Sequence, residues 1–258
     1  MFASGISPKE AAITEAAGLR PLGQVAGTCV YHSNHFRGWG PVAGYPGETY
    51  RFHAPVEAVL LSRRKALRRL SDAARAQGAD LVTGVRVTHE ERESGDNPQD
   101  KYGGIVVATA TGYAVARERK RRVKTKPVPV TISAGEYWKL LQGGYAPAGM
   151  VMTTVMTGCT ASSRGTVGEL SEVTDMVRAA WQFAEKDIRR QAHAARAQGV
   201  VGVSFSSRKW LADPAQFTFK MILTVTGTCI TPLARDDDRA RATGVRGGLA
   251  ITPVQHLA

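Results

Sequence analysis

The sequence predicts an α+β protein made of two repeats of a small α-β-α-β-β unit, each a short antiparallel sheet covered by a long helix. Three observations carry this expectation. The openings of the two halves align at an offset of 126, with Ile6-Ser7-Pro8-Lys9-Glu10 against Ile132-Ser133-Ala134-Gly135-Glu136, then Gly18, Pro21 and Gly23 against Gly144, Pro147 and Gly149. Eight of eleven positions are identical between Arg68–Gly78 and Arg189–Gly199. Between these blocks the apolar residues switch from helical spacing to β-branched runs.

Each half opens with a short helix, expected at 7–17 and 133–143. Ser7 and Ser133 suit the N-cap, and Glu10 and Glu136 three residues on complete a capping box. Pro8 fits the first helical position, and Gly18 and Gly144 suit the helix ends. Strands follow at Leu22 to Tyr31 and Met150 to Thr160. There Val25 and Cys29 match Val155 and Cys159 at an offset of 130, which implies a small insertion.

A long helix comes next. In the first half Pro55 starts it, and Val56, Val59, Leu60, Leu67, Leu70 and Ala74 trace one apolar face. In the second, Val173, Val177, Ala180, Ala184 and Ile188 take that part. Gly78 and Gly199 are the expected stops. Strands are then expected at Ala79 to Thr88 and Val200 to Ser206, and finally at Val106 to Val115 and Phe217 to Thr231. The domains are thus a first repeat at 1–116, a basic linker at 117–131, a second repeat at 132–233, and a charged, Gly-rich tail at 234–258.

Composition narrows the function classes. The formal net charge is +12, and Arg117 to Lys126 alone holds seven basic side chains and one acidic. The charge is therefore partly a linker feature, not a uniform nucleic-acid surface. Three widely spaced cysteines make no disulfide framework, and no secretory signal or transmembrane segment is read, so the cytoplasm is the expected compartment. No P-loop, dinucleotide fingerprint, HExxH or nucleophile elbow appears, so no enzyme is expected and no catalytic residue is assigned.

Gly27, Asn34, Phe36 and Arg37, the long helix, and Ala76-Gln77-Gly78-Ala79-Asp80-Leu81-Val82-Thr83-Gly84-Val85 resemble the YbjQ family, which is labelled heavy-metal-binding. The resemblance covers most of 22–116. It recurs over 150–231 through Ala195-Arg196-Ala197-Gln198-Gly199 and Val201-Gly202-Val203, without the Asn-Phe-Arg triplet and with Val200-Val201 in place of Ala79-Asp80. It implies an α+β unit that assembles as a homo-oligomeric ring, typically a pentamer, with no established enzymatic activity.

Candidate chemistry lies in two places. Cys29, His32 and His35 have C-x2-H-x2-H spacing that suits a divalent heavy metal such as zinc or copper, with His53 and His89 as further ligands. The structural alternative is that Cys29 is a small buried hydrophobe. Cys159 and Cys229 could approach each other if their strands are neighbours. Arg117, Arg119, Lys120, Arg121, Arg122, Lys124 and Lys126 could meet nucleic acid, an anionic membrane surface or an acidic protein, or serve as a solvated connector. Arg63, Arg64, Lys65, Arg68, Arg69 and Arg75 lie on one helix, either as a phosphate-neutralising stripe or as a solvated face. The expected function is a non-enzymatic ring scaffold that recruits a protein partner on one face. The alternatives are a nucleic-acid-associated protein and a metal-binding protein.

Overall fold

The helix starts and stops follow local chemistry. In the computed structural model, which describes residues 8–33, 49–51, 54–93, 104–117, 126–161, 170–213 and 217–233, Ser133 and Glu136 form the capping box. The Glu136 amide donates to Ser133 Oγ at 3.2 Å, and the Ser133 amide donates to the Glu136 carboxylate at 2.7 Å. Ser7 lies outside the described residues. Gly18, Gly78 and Gly144 end three helices at φ of +67°, +78° and +80°.

The expected stop at Gly199 is corrected. The fourth helix turns left-handed at Arg196 (φ +52°), three residues earlier, and the Ala197 amide then donates to Ala192 at 2.9 Å. The first half does the same from Ala79 to Ala74 at 3.0 Å. Helix-end geometry, rather than the matching letters, sets where the following strand begins.

The described residues form α1 (Pro8–Ala16), β1 (Leu19–Ser33), β2 (Thr49–Arg51), α2 (Ala54–Ala76), β3 (Leu81–Glu93), β4 (Gly104–Arg117), β5 (Val128–Pro129), α3 (Ala134–Gln142), β6 (Tyr145–Thr160), α4 (Ser171–Ala194), β7 (Gly199–Asp213) and β8 (Thr218–Pro232). The protein is α+β. One sheet has the order β1-β4-β3-β5 and the other β2-β6-β8-β7. All pairs are antiparallel except β3 with β5. None of the described helices is long and apolar enough to cross a membrane.

Two short strands were not expected, and both tie the halves together. β5 comes from the end of the expected linker: the amides of Gly84 and Val85 donate to Ile132 and Val130 at 2.8 and 2.9 Å. β2 precedes α2, yet it pairs with β6, placing Thr49, Tyr50 and Arg51 opposite Cys159, Gly158 and Thr157.

The register also corrects the strand alignment. β1 has an irregularity between Pro21 and Gly23, and β6 has one between Pro147 and Gly149. Gly23 and Gly149 take φ of +143° and +147°. These two irregularities lie 126 residues apart, and at that spacing Cys29 falls against Val155 rather than Cys159.

Three of the hydrophobic clusters among the described residues organise the two sheets. Ala66, Leu70 and Ala74 of α2 pack on Val25, Cys29, Val82, Val85 and the alanines of β4. The approach at Gly27 is so close that a Cβ there would lie 2.3 Å from the Ala66 carbonyl oxygen. Met176, Ala180 and Ala184 of α4 pack on Val155, Cys159, Met221, Leu223 and Val225. Leu19, Leu81 and Val115 join Val130, Ile132, Tyr137, Leu140 and Ile230 in a cluster drawn from both halves.

Candidate functional site

α2 is long enough, at 23 residues, to serve two sheets. Its C-terminal half covers the first. Its N-terminal half lies on the face of the second sheet that α4 does not cover. There Val56 and Leu60 meet Met156 and Ile222. One turn further on, Arg63 is 1% exposed. Its Nη1 donates to Thr154 Oγ1 at 2.7 Å and to Thr224 Oγ1 at 3.1 Å, and its Nη2 contacts His89 Nδ1. A guanidinium has no acceptor, so Nδ1 of His89 accepts there. Arg63 thus binds β3 of the first sheet to β6 and β8 of the second. Hydrogen-bonded hydroxyls offset part of the cost of burying the charge.

β2 lies along the β6 edge of the second sheet and ties it to α4. Arg51 reaches Asp187 of α4 at 2.9 Å and lies 4.9 Å from the centre of the Phe183 ring. Asp187 also accepts from Thr153 at 3.2 Å.

Among the described residues, no helix covers the matching face of the first sheet. Thr28 stands opposite Thr109 as Thr154 stands opposite Thr224, and Val30 opposite Val107 as Met156 opposite Ile222. Thr154, Met156, Ile222 and Thr224 are buried, whereas Thr28 is exposed and Val107 and Thr109 are half-buried. Val30 is 64% exposed, against 1% for Met156.

A second open patch lies on α4 and β7. Phe205 and Val203 are 65% and 52% exposed. Trp181 meets Phe205 edge-on, with ring centres 5.0 Å apart.

Of the candidate metal ligands, Cys29 and His32 do not come together. Cys29 is buried and faces α2, while His32 lies three residues along the strand, exposed on the opposite face. His35 and His53 lie outside the described residues, and His89 is engaged with Arg63. Among the described residues no group of three His, Cys, Asp or Glu could hold a metal ion.

All three cysteines are free and buried. Cys159 and Cys229 sit on paired strands, but Cys229 stands opposite Gly149 and Cys159 opposite Phe219, so about ten residues, roughly 33 Å, separate them. Burial, with help from the Glu172 carboxylate, pushes the Cys159 thiol up to about 11. Burial also pushes Cys229 up and the Lys220 ammonium down.

Of the basic linker, the Arg117 amide donates to the Asp80 carboxylate at 2.9 Å and Lys126 is exposed. Arg119, Lys120, Arg121, Arg122 and Lys124 lie outside the described residues. Arg64, Arg68 and Arg75 are exposed on α2. Arg69 donates to the Thr28 carbonyl, and Lys65 sits 5.0 Å from the Tyr31 ring centre. Arg63 leaves this set: it is an interior residue. Its signal was its position, since it continues the apolar series Val56, Val59 and Leu60 at helical spacing, where a solvated arginine does not belong.

No protein-family model matches the chain, and no curated protein matches its sequence.

Proposed function

We propose that the chain is a tandem duplication of one α-β-α-β-β unit, similar to YbjQ domains, that acts as a non-enzymatic scaffold in the cytoplasm by assembling with copies of itself into a ring. The duplication is supported by matched backbone detail. A Cβ at Gly112 would lie 2.7 Å from Val82, and one at Gly227 would lie 2.6 Å from Val200. Gly84 and Gly202 hold φ of +61° and +58° at equivalent bulges.

The observation that carries the scaffold reading is the one-sidedness of the contact between units. α2 covers the second sheet and β2 extends its edge, while among the described residues nothing covers the matching face of the first. A one-sided contact is heterologous, and heterologous contacts build a ring where the rotation between units closes and an open filament where it does not. Duplication makes one of every two such contacts covalent, which raises the effective concentration of the pair. In this reading no residue is catalytic and no metal or other cofactor is required. A ring with unlike units offers two different faces to a protein partner.

Native mass spectrometry of the untagged chain tests the reading. A discrete multiple of the chain mass supports it, and a monomer at every concentration removes it. The exposed Arg64, Arg68 and Arg75 favour a second reading, association with nucleic acid. Retention on DNA that falls steeply with salt would support that reading, and no retention at low salt would end it.

A further inference from the structure

The three large hydrophobic side chains most exposed among the described residues are Val30, Val203 and Phe205. They fall on two surfaces, at opposite ends of the relation between the units. Val30 lies on the open face of the first sheet, at the place of Met156. Val203 and Phe205 lie on β7, beside Trp181 of α4.

α4 is equivalent to α2 at an offset of 118, the offset that also relates Gly84 to Gly202 and the helix-end residues Gly78 and Arg196. At that offset Trp181 holds the position of Arg63, and Arg178 that of Leu60. Within one chain, Arg63 and Leu60 dock the first unit on Thr154, Thr224, Met156 and Ile222. The docking surface of the second unit therefore has Trp181 where the first has Arg63 and Ser207 where the first has His89, with Phe205 at the place of Val87 beside the indole, and none of the described residues is seen to dock on it.

From this we infer that a second copy of the chain docks its α4–β7 surface on the open face of the first sheet, repeating between chains the contact that α2 makes within one. The inference rests on the scaffold reading and names its interface. Trp181 faces the Thr28–Thr109 pair and Arg178 lies over Val30 and Val107. The chemistry agrees: an indole presents an N–H to threonine hydroxyls, as the guanidinium does to Thr154 and Thr224, and its ring covers the neighbouring valine. The open face around Val30 is then covered by the helix surface that carries Trp181, in one head-to-tail interface.

The test is cysteine cross-linking in the full-length protein. Val30→Cys with Arg178→Cys, treated with a short bismaleimide, should give a ladder of covalent multimers. Each single variant should stay monomeric on a denaturing gel, as should the wild type, whose three cysteines are buried. Dimers from Val30→Cys alone would mean a two-fold contact and overturn the inference.

Val30→Glu guards against loss of assembly in the double variant. It should shift the native mass to the monomer with an unchanged circular dichroism spectrum. A wild type that associates while Val30→Glu associates equally well would overturn this interface and leave the scaffold reading standing. A monomeric wild type would overturn both.

Discussion

The two sheets are built alike and end differently. The second is covered on both faces, by α4 on one and by the N-terminal half of α2 on the other, with β2 along its edge. The first is covered, among the described residues, by α2 on one face. Matching positions therefore have opposite fates: Met156 is 1% exposed and Val30 is 64% exposed. A surface is not defined by its own residues alone, since threonine and an aliphatic neighbour occupy both faces. What differs is whether another element lies over them, and among the described residues α2 lies over the face of the second sheet.

The largest expected effect separates the two helix approaches. Gly27→Ala drives a Cβ into the α2 backbone, 2.3 Å from the Ala66 oxygen and 2.4 Å from the Leu70 nitrogen, and should cost about 3 kcal/mol or more in urea unfolding. The matching residue of β6 is Thr153, bonded to Asp187. Thr153→Ala should cost about 1 kcal/mol. Equal costs would mean that α2 and α4 approach their sheets alike.

Arg63→Ala comes next. It empties the joint between the sheets and strips Thr154, Thr224 and His89 of a donor, and about 3 kcal/mol should be lost. A loss under about 0.5 kcal/mol, the range of surface changes, would place Arg63 in solvent.

Gly112→Ala and Gly227→Ala should be alike, at about 1–2 kcal/mol each. Each new methyl meets the end of a valine side chain first, Val82 or Val200, which can shift. Unequal costs would argue against equivalent units.

A pH dependence belongs to the second sheet. Cys159 keeps its proton to about 11 in the folded chain against a usual 9.0. Between those values the folded state binds a proton that the unfolded state has lost, so this group's contribution to stability falls as pH rises from 9 towards 11. Alkylation of Cys159 in the native protein should stay slow at pH 9 and quicken near 11. Fast alkylation at pH 8 would show an accessible thiolate.

Much of the fold was legible because it is local. Capping residues, positive-φ glycines and helical stripes set the helices, and β-branched runs set the long strands. β2 and β5 were not legible, since Thr49–Arg51 and Val128–Pro129 carry no pattern of their own and become strands by pairing across the chain. The identical block ending at Gly199 suggested a stop three residues late, because the letters repeat while the helix end does not. Arg63 was grouped with its exposed neighbours although its place in the apolar series pointed inward. The Cys29 and His32 spacing suggested one site, and strand alternation put them on opposite faces.

Hydroxyl-radical footprinting of the full chain over a dilution series tests the account most directly, read at Val30 and Met156. The account predicts that Met156 is protected at every concentration, while Val30 is protected in the assembly and becomes reactive on dilution to the monomer. Val30 reacting at one constant rate throughout, with the assembly demonstrably present, would contradict it.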